Sequence, residues 1–286
     1  MEVVSADSRQ VYRGFDIGTA KATAAERAAV PHHGIDLVDA DAPFSAADWR
    51  RHALDALAGI AARGRLAILA GGTGLYLRAI ARGLPLDETG RDDALRATLE
   101  ARLGTEGLPV LVAELRRIAP GIAAATDPAN HRRVVRALER AHLGGDHPPP
   151  PPRGYPAPVA WIGLRREIVE HDRAIEERAA AQLTGGLLAE TEALLRRYPD
   201  RSLRAWSAMG YREAFSVLDG TATLDEAIAA DAARTRAFAR RQAIWFRAEP
   251  GIDWIDLPAT GGGEALARAL PVAEALLAGA SPRNPA

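Results

Sequence analysis

The sequence predicts an α/β protein in which a parallel sheet is covered by helices and interrupted by a helical insertion. Three observations carry this. A β-branched run from Glu2 to Ala6 ends in the polar cluster Asp7, Ser8 and Gln10, and open α/β sheets place their ligands at the carboxyl ends of such strands. A helix pattern followed by a short apolar strand comes next, which is the alternation of a parallel sheet. Between residues 84 and 130 strand patterns disappear and short helices take over.

The elements follow in order. Ser45 with Asp48 three residues on has the form of a capping box, and Trp49, Ala53, Leu57 and Ile60 repeat at helical spacing until Gly64 stops the helix. Arg65 to Ala70 reads as a strand, and Gly71-Gly72-Thr73-Gly74 joins it to a helix starting near Leu75. Asp92 to Leu103 and Pro109 to Ile118 read as short helices. From Gly144 through Pro158 a connector carries five consecutive prolines, Pro148 to Pro152, and favours polyproline II. Val159 to Leu164 is expected to be another buried strand, with a mainly helical remainder. The expected division is a core of residues 1–83 and 131–286, an insertion of residues 84–130 and a connector of residues 144–158.

The 286 residues suffice for a substantial core, and 48% hydrophobic with 26% charged residues is ordinary for a globular protein. No stretch is long and apolar enough to span a bilayer, and no secretion signal is visible, so the expected address is the cytoplasm. With no cysteine there is no disulfide, thiolate nucleophile or cysteine zinc site. Formal net charge is −1, which argues against wrapping nucleic acid by bulk charge. Basic residues do gather at His131 to Arg140 and Arg234 to Arg247, and local stripes of this kind respond to phosphate backbones. Nearly all positive charge is arginine, which suits bidentate phosphate contacts or reflects GC-rich codon usage.

Position alone makes Asp7 the first candidate base. The glycine-rich turn before Leu75 would aim backbone N–H groups at an anion, or it serves tight geometry. In the second basic stretch Arg236, Arg240 and Arg247 share a narrow helical stripe opposite Phe238 and Trp245, either an exposed basic face or a phosphate-contacting one. Arg132, Arg136 and Arg140 repeat every four residues, with Val134, Leu138 and Ala141 apolar, and the same two readings apply. The adjacent histidines His32 and His33 project differently and have no partner cluster, which disfavours zinc.

The run ADSRQVYRGFDIGTAK, the GGTGLYLRA of Gly71 to Ala79, the AMGYRE of Ala208 to Glu213 and the TRAFARRQAIWFR of Thr235 to Arg247 together resemble the tRNA dimethylallyltransferases, the IPP transferase family. The resemblance implies a P-loop NTPase-like core whose helical insertion grips the anticodon stem-loop. It also implies transfer of a dimethylallyl group from dimethylallyl diphosphate to N6 of the adenosine beside the tRNA anticodon, with Mg2+, by a soluble monomer. Carried onto this chain, Thr73 lies at the leaving pyrophosphate and the tRNA, and Arg178 binds pyrophosphate, although an arginine beside two glutamates would otherwise read as a solvated ion pair. Ser8, Arg9 and Gln10 hold the adenosine. Arg96 and the segment Arg132, Arg133, Val134, Val135, Arg136 contact tRNA.

Family members begin with a strand, a G-x-x-x-x-G-K-[ST] loop and a helix, and this sequence contains no such loop. Lys21, the sole lysine, has no glycine-rich loop before it. The expectation is a late start or a truncation that leaves activity in question. The rival functions are an adenine-nucleotide isopentenyltransferase and a non-catalytic tRNA-binding remnant.

Overall fold

The β-branched opening of the chain forms β1 (Glu2–Ser5) in a computed structural model that describes residues 1–86, 92–257 and 263–278, without the side chains of Glu264 and Leu277. The chain divides into two units, Met1–Arg82 with Gly154–Ala286, and Gly83–Arg153.

In the first unit α1 (Ala24–Ala29) starts at a Thr23–Glu26 capping box and leads to β2 (His32–His33). The Ser45–Asp48 capping box is present and opens α2 (Ala46–Ala62), which buries Trp49, Ala53, Leu57 and Ile60. Next come β3 (Ala67–Ala70) and α3 (Gly74–Ala81). The strands form a parallel sheet in the order β2-β1-β3, with Val3 opposite both His32 and Ile68. Glu2, inside the start of β1, accepts hydrogen bonds from Arg63 and pairs with His33, so the histidine pair serves the sheet. Crossovers through helices explain the parallel direction, because two-residue turns cannot join parallel strands.

The second unit holds α4 (Asp93–Glu106), α5 (Leu108–Ile118), α6 (Pro120–Ala124) and α7 (His131–Gly144). Leu99, Leu111, Leu115, Ile122, Val134 and Leu138 form its core, each nearly or fully buried, and burial of such a side chain is worth about 1.5–3 kcal/mol. This unit therefore extends past residue 130, because Val134 and Leu138 of α7 pack into the same core as α4 and α5. Residues 87–91 of the expected insertion lie outside the described residues.

Back in the first unit come β4 (Trp161–Arg166), α8 (Ile168–Gln182), a π-helical turn at Leu183–Leu187, α9 (Leu188–Arg197), a 3-10 turn at Arg204–Ser207, α10 (Tyr211–Leu218), α11 (Leu224–Arg247), β5 (Ile252–Leu257) and α12 (Gly263–Leu277). Here the expectation of a buried strand near Leu164 fails. Among the described residues β4 pairs only with β5, in parallel, and Ile162 and Leu164 are 39% and 59% exposed because no layer covers that face. β5 interrupts the expected helical remainder. No described helix is long and apolar enough to cross a membrane.

Candidate active site

The end of β1 is fixed from below. The Trp49 indole N–H donates to the Ser5 carbonyl (3.0 Å), and its ring stacks on Tyr76 at 4.1 Å and 13°. The chain then crosses to β3: Ala6 N–H donates to Ala70 O (2.7 Å), and Thr73 N–H donates back to Ala6 O (3.1 Å). The Ser8 N–H completes the link by donating to Thr73 Oγ1 (3.0 Å). The two segments singled out in the sequence, Asp7–Gln10 and Gly71–Gly74, thus meet at one sheet edge.

Asp7 Oδ1 accepts the Arg9 N–H (2.7 Å) and, at 3.4 Å, the Gln10 N–H, the local turn that aspartate favours after a strand. Among the described residues Oδ2 has no partner, so a half-buried carboxylate is oriented by backbone alone with one oxygen to spare. The Gln10 amide is instead occupied, taking the Ser5 hydroxyl (2.7 Å) on Oε1 and giving Nε2 to Thr19 O (3.0 Å). Thr73 is the N-cap residue of α3 but makes no side-chain cap, because its hydroxyl oxygen is used by Ser8. Burial pushes the Tyr76 hydroxyl well above the usual phenol range, keeping it protonated.

Tight geometry accounts for the glycine turn directly. A Cβ on Gly71 would lie 2.4 Å from Ala6 O, and one on Gly74 would lie 2.5 Å from the Trp245 ring. Gln242 Nε2 donates to Gly72 O (3.0 Å), so α11 backs the turn. Lys21 pins the next loop, its Nζ donating to Tyr12 O (2.6 Å), Asp16 Oδ1 (2.7 Å) and Asp36 Oδ1 (2.6 Å).

Arg178 is exposed on α8, and no hydrogen bond or ion pair among the described residues joins it to Asp7 or Thr73. The glutamates beside it pair elsewhere, Glu176 with Arg236 (2.6 Å) and Glu177 with Arg173 (3.0 Å), so the solvated-pair reading of Arg178 fails. Its charge acts on Asp231, a buried carboxylate of α11 raised by burial and by Glu213 against the pull of Arg234 and Arg178. Arg240 and Arg247 are exposed, whereas Arg236 is committed to Glu176. The expected packed face is only partly so: Trp245 lies on the Gly74 turn, but Phe238 is 39% exposed, since α11 buries residues mainly in its first half.

In the helical unit Arg96 and Arg136 both hold Glu139, which is fully buried and also accepts the Asp92 N–H (3.0 Å). Burial opposes ionisation of Glu139, but these donors outweigh it and hold the carboxyl below its usual range. Val134 and Val135 are core residues, so between 132 and 136 only the arginines reach the surface. Arg132 and Arg133 are exposed.

No sequence pattern marks Trp49 and Tyr76 as a floor to the site, Gln242 as a brace, or Arg204, whose carbonyl accepts Arg9 Nη1 (3.2 Å). The tryptophan was visible only as one more member of an apolar stripe.

Residues 10–249 match the family described as IPP transferase. This chain belongs to that family. Among its relatives, the tRNA dimethylallyltransferase of Roseiflexus sp. (strain RS-1) is 46% identical over 266 residues, covering 90% of this chain and 85% of the relative. That of Anaeromyxobacter sp. (strain K) is 46% identical over 272 residues, covering 93% and 88%. The crystal structure of the full-length tRNA isopentenylpyrophosphate transferase from Bacillus halodurans superposes with a TM-score of 0.69 at 37% identity, over 97% of this chain and 88% of the other. A eukaryotic dimethylallyltransferase, solved acting on tRNA, shares the fold with a TM-score of 0.77 at 24% identity, over 98% of this chain and 73% of the other. The IPP transferase chain is therefore an α/β member of a prenyltransferase family, as its motifs implied.

Proposed function

We propose that this IPP transferase acts on tRNA, moving a dimethylallyl group from dimethylallyl diphosphate to N6 of the adenosine next to the anticodon. The observation that carries this reading is the junction of the Asp7 and Thr73 segments through Ser8, with Asp7 Oδ2 left free of partners among the described residues. The names of the relatives point to the same chemistry.

In the proposed reaction the N6 lone pair forms the bond to C1 of the dimethylallyl group as the C1–O bond breaks and its electron pair leaves with pyrophosphate. An exocyclic amine becomes acidic only as it is alkylated, so Asp7 Oδ2 takes the N6 proton during transfer, a role worth about 10²–10⁴ in rate. Thr73 and Arg178 stabilise charge on the leaving pyrophosphate. Ser8 and Arg9 position the nucleotide, which must leave its stack to be reached, while Gln10 holds the loop that carries them. Mg2+ accompanies the diphosphate in this reading. No group of three carboxylates or histidines able to hold an ion occurs among the described residues, and no step above runs through the ion.

The helical unit is the proposed anticodon stem-loop reader. Arg132 and Arg133 meet the backbone, with Arg96 and Arg136 shaping that surface from their anchorage on Glu139, and Arg240 and Arg247 add further phosphate contacts in the first unit. The test is transfer of radiolabelled dimethylallyl groups to an anticodon stem-loop with magnesium. Product that disappears in Asp7→Ala supports the reading, and product that persists in that variant overturns Asp7 as base. Stem-loop binding without transfer would leave an RNA-binding protein, and transfer to free AMP alone would make the substrate a nucleotide.

A further inference from the structure

Glu190 of α9 is a half-buried carboxylate that meets no arginine, lysine or histidine among the described residues, unlike Glu2, Glu139 and Glu249. Three neutral donors take the place of a cation. Its Oε2 accepts the Asp16 N–H (3.2 Å) and the Ile17 N–H (2.9 Å), and its Oε1 accepts the Tyr211 hydroxyl (2.6 Å). Tyr211 is fully buried, and burial together with the Glu190 charge pushes its hydroxyl above the usual phenol range, so it stays a donor. The turn that follows Ile17 is seated closely. A Cβ on Gly18 would lie 2.4 Å from the Tyr211 ring, Gln182 Nε2 donates to Ile17 O (2.5 Å), and the Ala20 N–H closes onto the same oxygen (3.0 Å). The far side of this turn reaches the site. The Thr19 and Ala20 carbonyls accept Gln10 Nε2 (3.0 and 3.3 Å), and the Gln10 N–H is one of the two that hold Asp7 Oδ1 (3.4 Å).

We propose that Glu190 is a positioning residue for Asp7, acting through the turn of residues 16–20 and through Gln10. This deepens the function proposed above and rests on it for the role of Asp7. Hydrogen bonds to an ionised acceptor are roughly twice as strong as neutral ones, so Glu190 fixes two consecutive peptide groups more firmly than a neutral side chain would. The turn lies outside the described helices and strands, so its place depends on such contacts. Glu190 and Gln182 hold it on one side, Lys21 on another, and Gln10 toward the sheet. A shift of the turn is carried to Gln10, whose Oε1 is tied to the Ser5 hydroxyl at the end of β1 (2.7 Å), and so to the peptide groups that aim Asp7. Misplacement of a reacting group by about 1 Å costs about 10²-fold in rate, which gives a contact remote from the substrate a hold on transfer.

The experiment uses the whole chain and has one readout that is independent of turnover. Amide hydrogen exchange, followed by mass spectrometry, is compared at residues 16–17 and 9–10 in the wild type, Glu190→Ala and Glu190→Gln. Leaving the Asp16 and Ile17 N–H groups without their acceptor should speed exchange at both places about tenfold in the alanine variant, with α2 unchanged. Glutamine keeps length and one acceptor oxygen, so it should show the same coupling at about threefold should the alanine variant misfold. Faster exchange at 16–17 with none at 9–10 would overturn the proposal, since Glu190 would then hold the turn alone, and unchanged exchange at both would do the same. In transfer, Glu190→Ala should lower kcat about tenfold at an unchanged stem-loop KM. In an Asp7→Asn background it should lower kcat no further, and multiplied losses, the mark of a merely structural role, would overturn it. A wild type that makes no product would overturn the proposed function and leave the positioning to be decided by exchange.

Discussion

Asp7 in the α/β unit and Glu139 in the helical unit are both carboxylates held by backbone N–H groups, yet they are built for opposite ends. Glu139 is fully buried, and Arg96, Arg136 and the Asp92 N–H all converge on it. Asp7 is half-buried, accepts only from Arg9 and Gln10 backbone groups and keeps Oδ2 clear of partners among the described residues. A carboxylate saturated by cations holds structure, since any change of its charge strands its partners. One oriented by peptide groups alone can change protonation without undoing the fold around it.

The comparison breaks most sharply at Asp7. Asp7→Asn keeps an oxygen for the Arg9 and Gln10 N–H groups but loses the proposed base, so the transfer rate should fall about 10²–10⁴-fold while the melting temperature holds. A large loss of thermal stability would mean that Asp7 is structural after all. Arg178→Ala should lower transfer about 10²–10³-fold, again without a change in melting, because the side chain is exposed and without an ion pair among the described residues. An unaltered pyrophosphate product-inhibition constant would remove it from the leaving-group site.

Glu139→Ala should do the reverse, destabilising the protein by about 3 kcal/mol in urea unfolding. That is the lower end for a broken buried pair, since Arg96 and Arg136 are 27% and 29% exposed. The sign of its pH dependence follows from the lowered folded pKa: the contribution is full above the unfolded value of about 4.3 and disappears as pH falls through the folded one. Melting curves below about pH 4.5 should therefore show a component that Glu139→Gln abolishes. The smallest effect is expected at Gly71→Ala, where the new Cβ lies 2.4 Å from Ala6 O and must push two strand ends apart. We expect a loss of about 1–3 kcal/mol, with transfer reduced in step as Thr73 shifts from Ser8.

Much of this was legible in the sequence, for definite reasons. The Ser45 capping box, the Trp49 to Ile60 stripe and the Asp7 cluster are local patterns, and each appears where its pattern places it. β5 carried its own signal, the β-branched and aromatic Ile252, Trp254 and Ile255, yet it is separated from β4 by four α-helices, α8 to α11, and could be paired only in three dimensions. Two long-range relations were equally out of reach. Nothing near Arg96 in sequence announces Glu139 as its anchor, and nothing near Arg9 announces Arg204, because contacts between residues 43 or 195 positions apart leave no periodic trace. Val134 and Val135 show the limit of transferring a motif as a block, since burial separates them from the arginines on either side.

Lys21 gives the molecule an unusual chemical simplicity. It carries the only ε-amine of the chain, and its side chain is 1% exposed beneath Asp16 and Asp36. Acylating reagents and lysine-specific proteases therefore find one internal target, shielded while the loop between Tyr12 and Asp36 is closed. The rate at which that amine becomes reactive is a clock for opening of the segment that follows Asp7, readable by mass spectrometry without introducing any label.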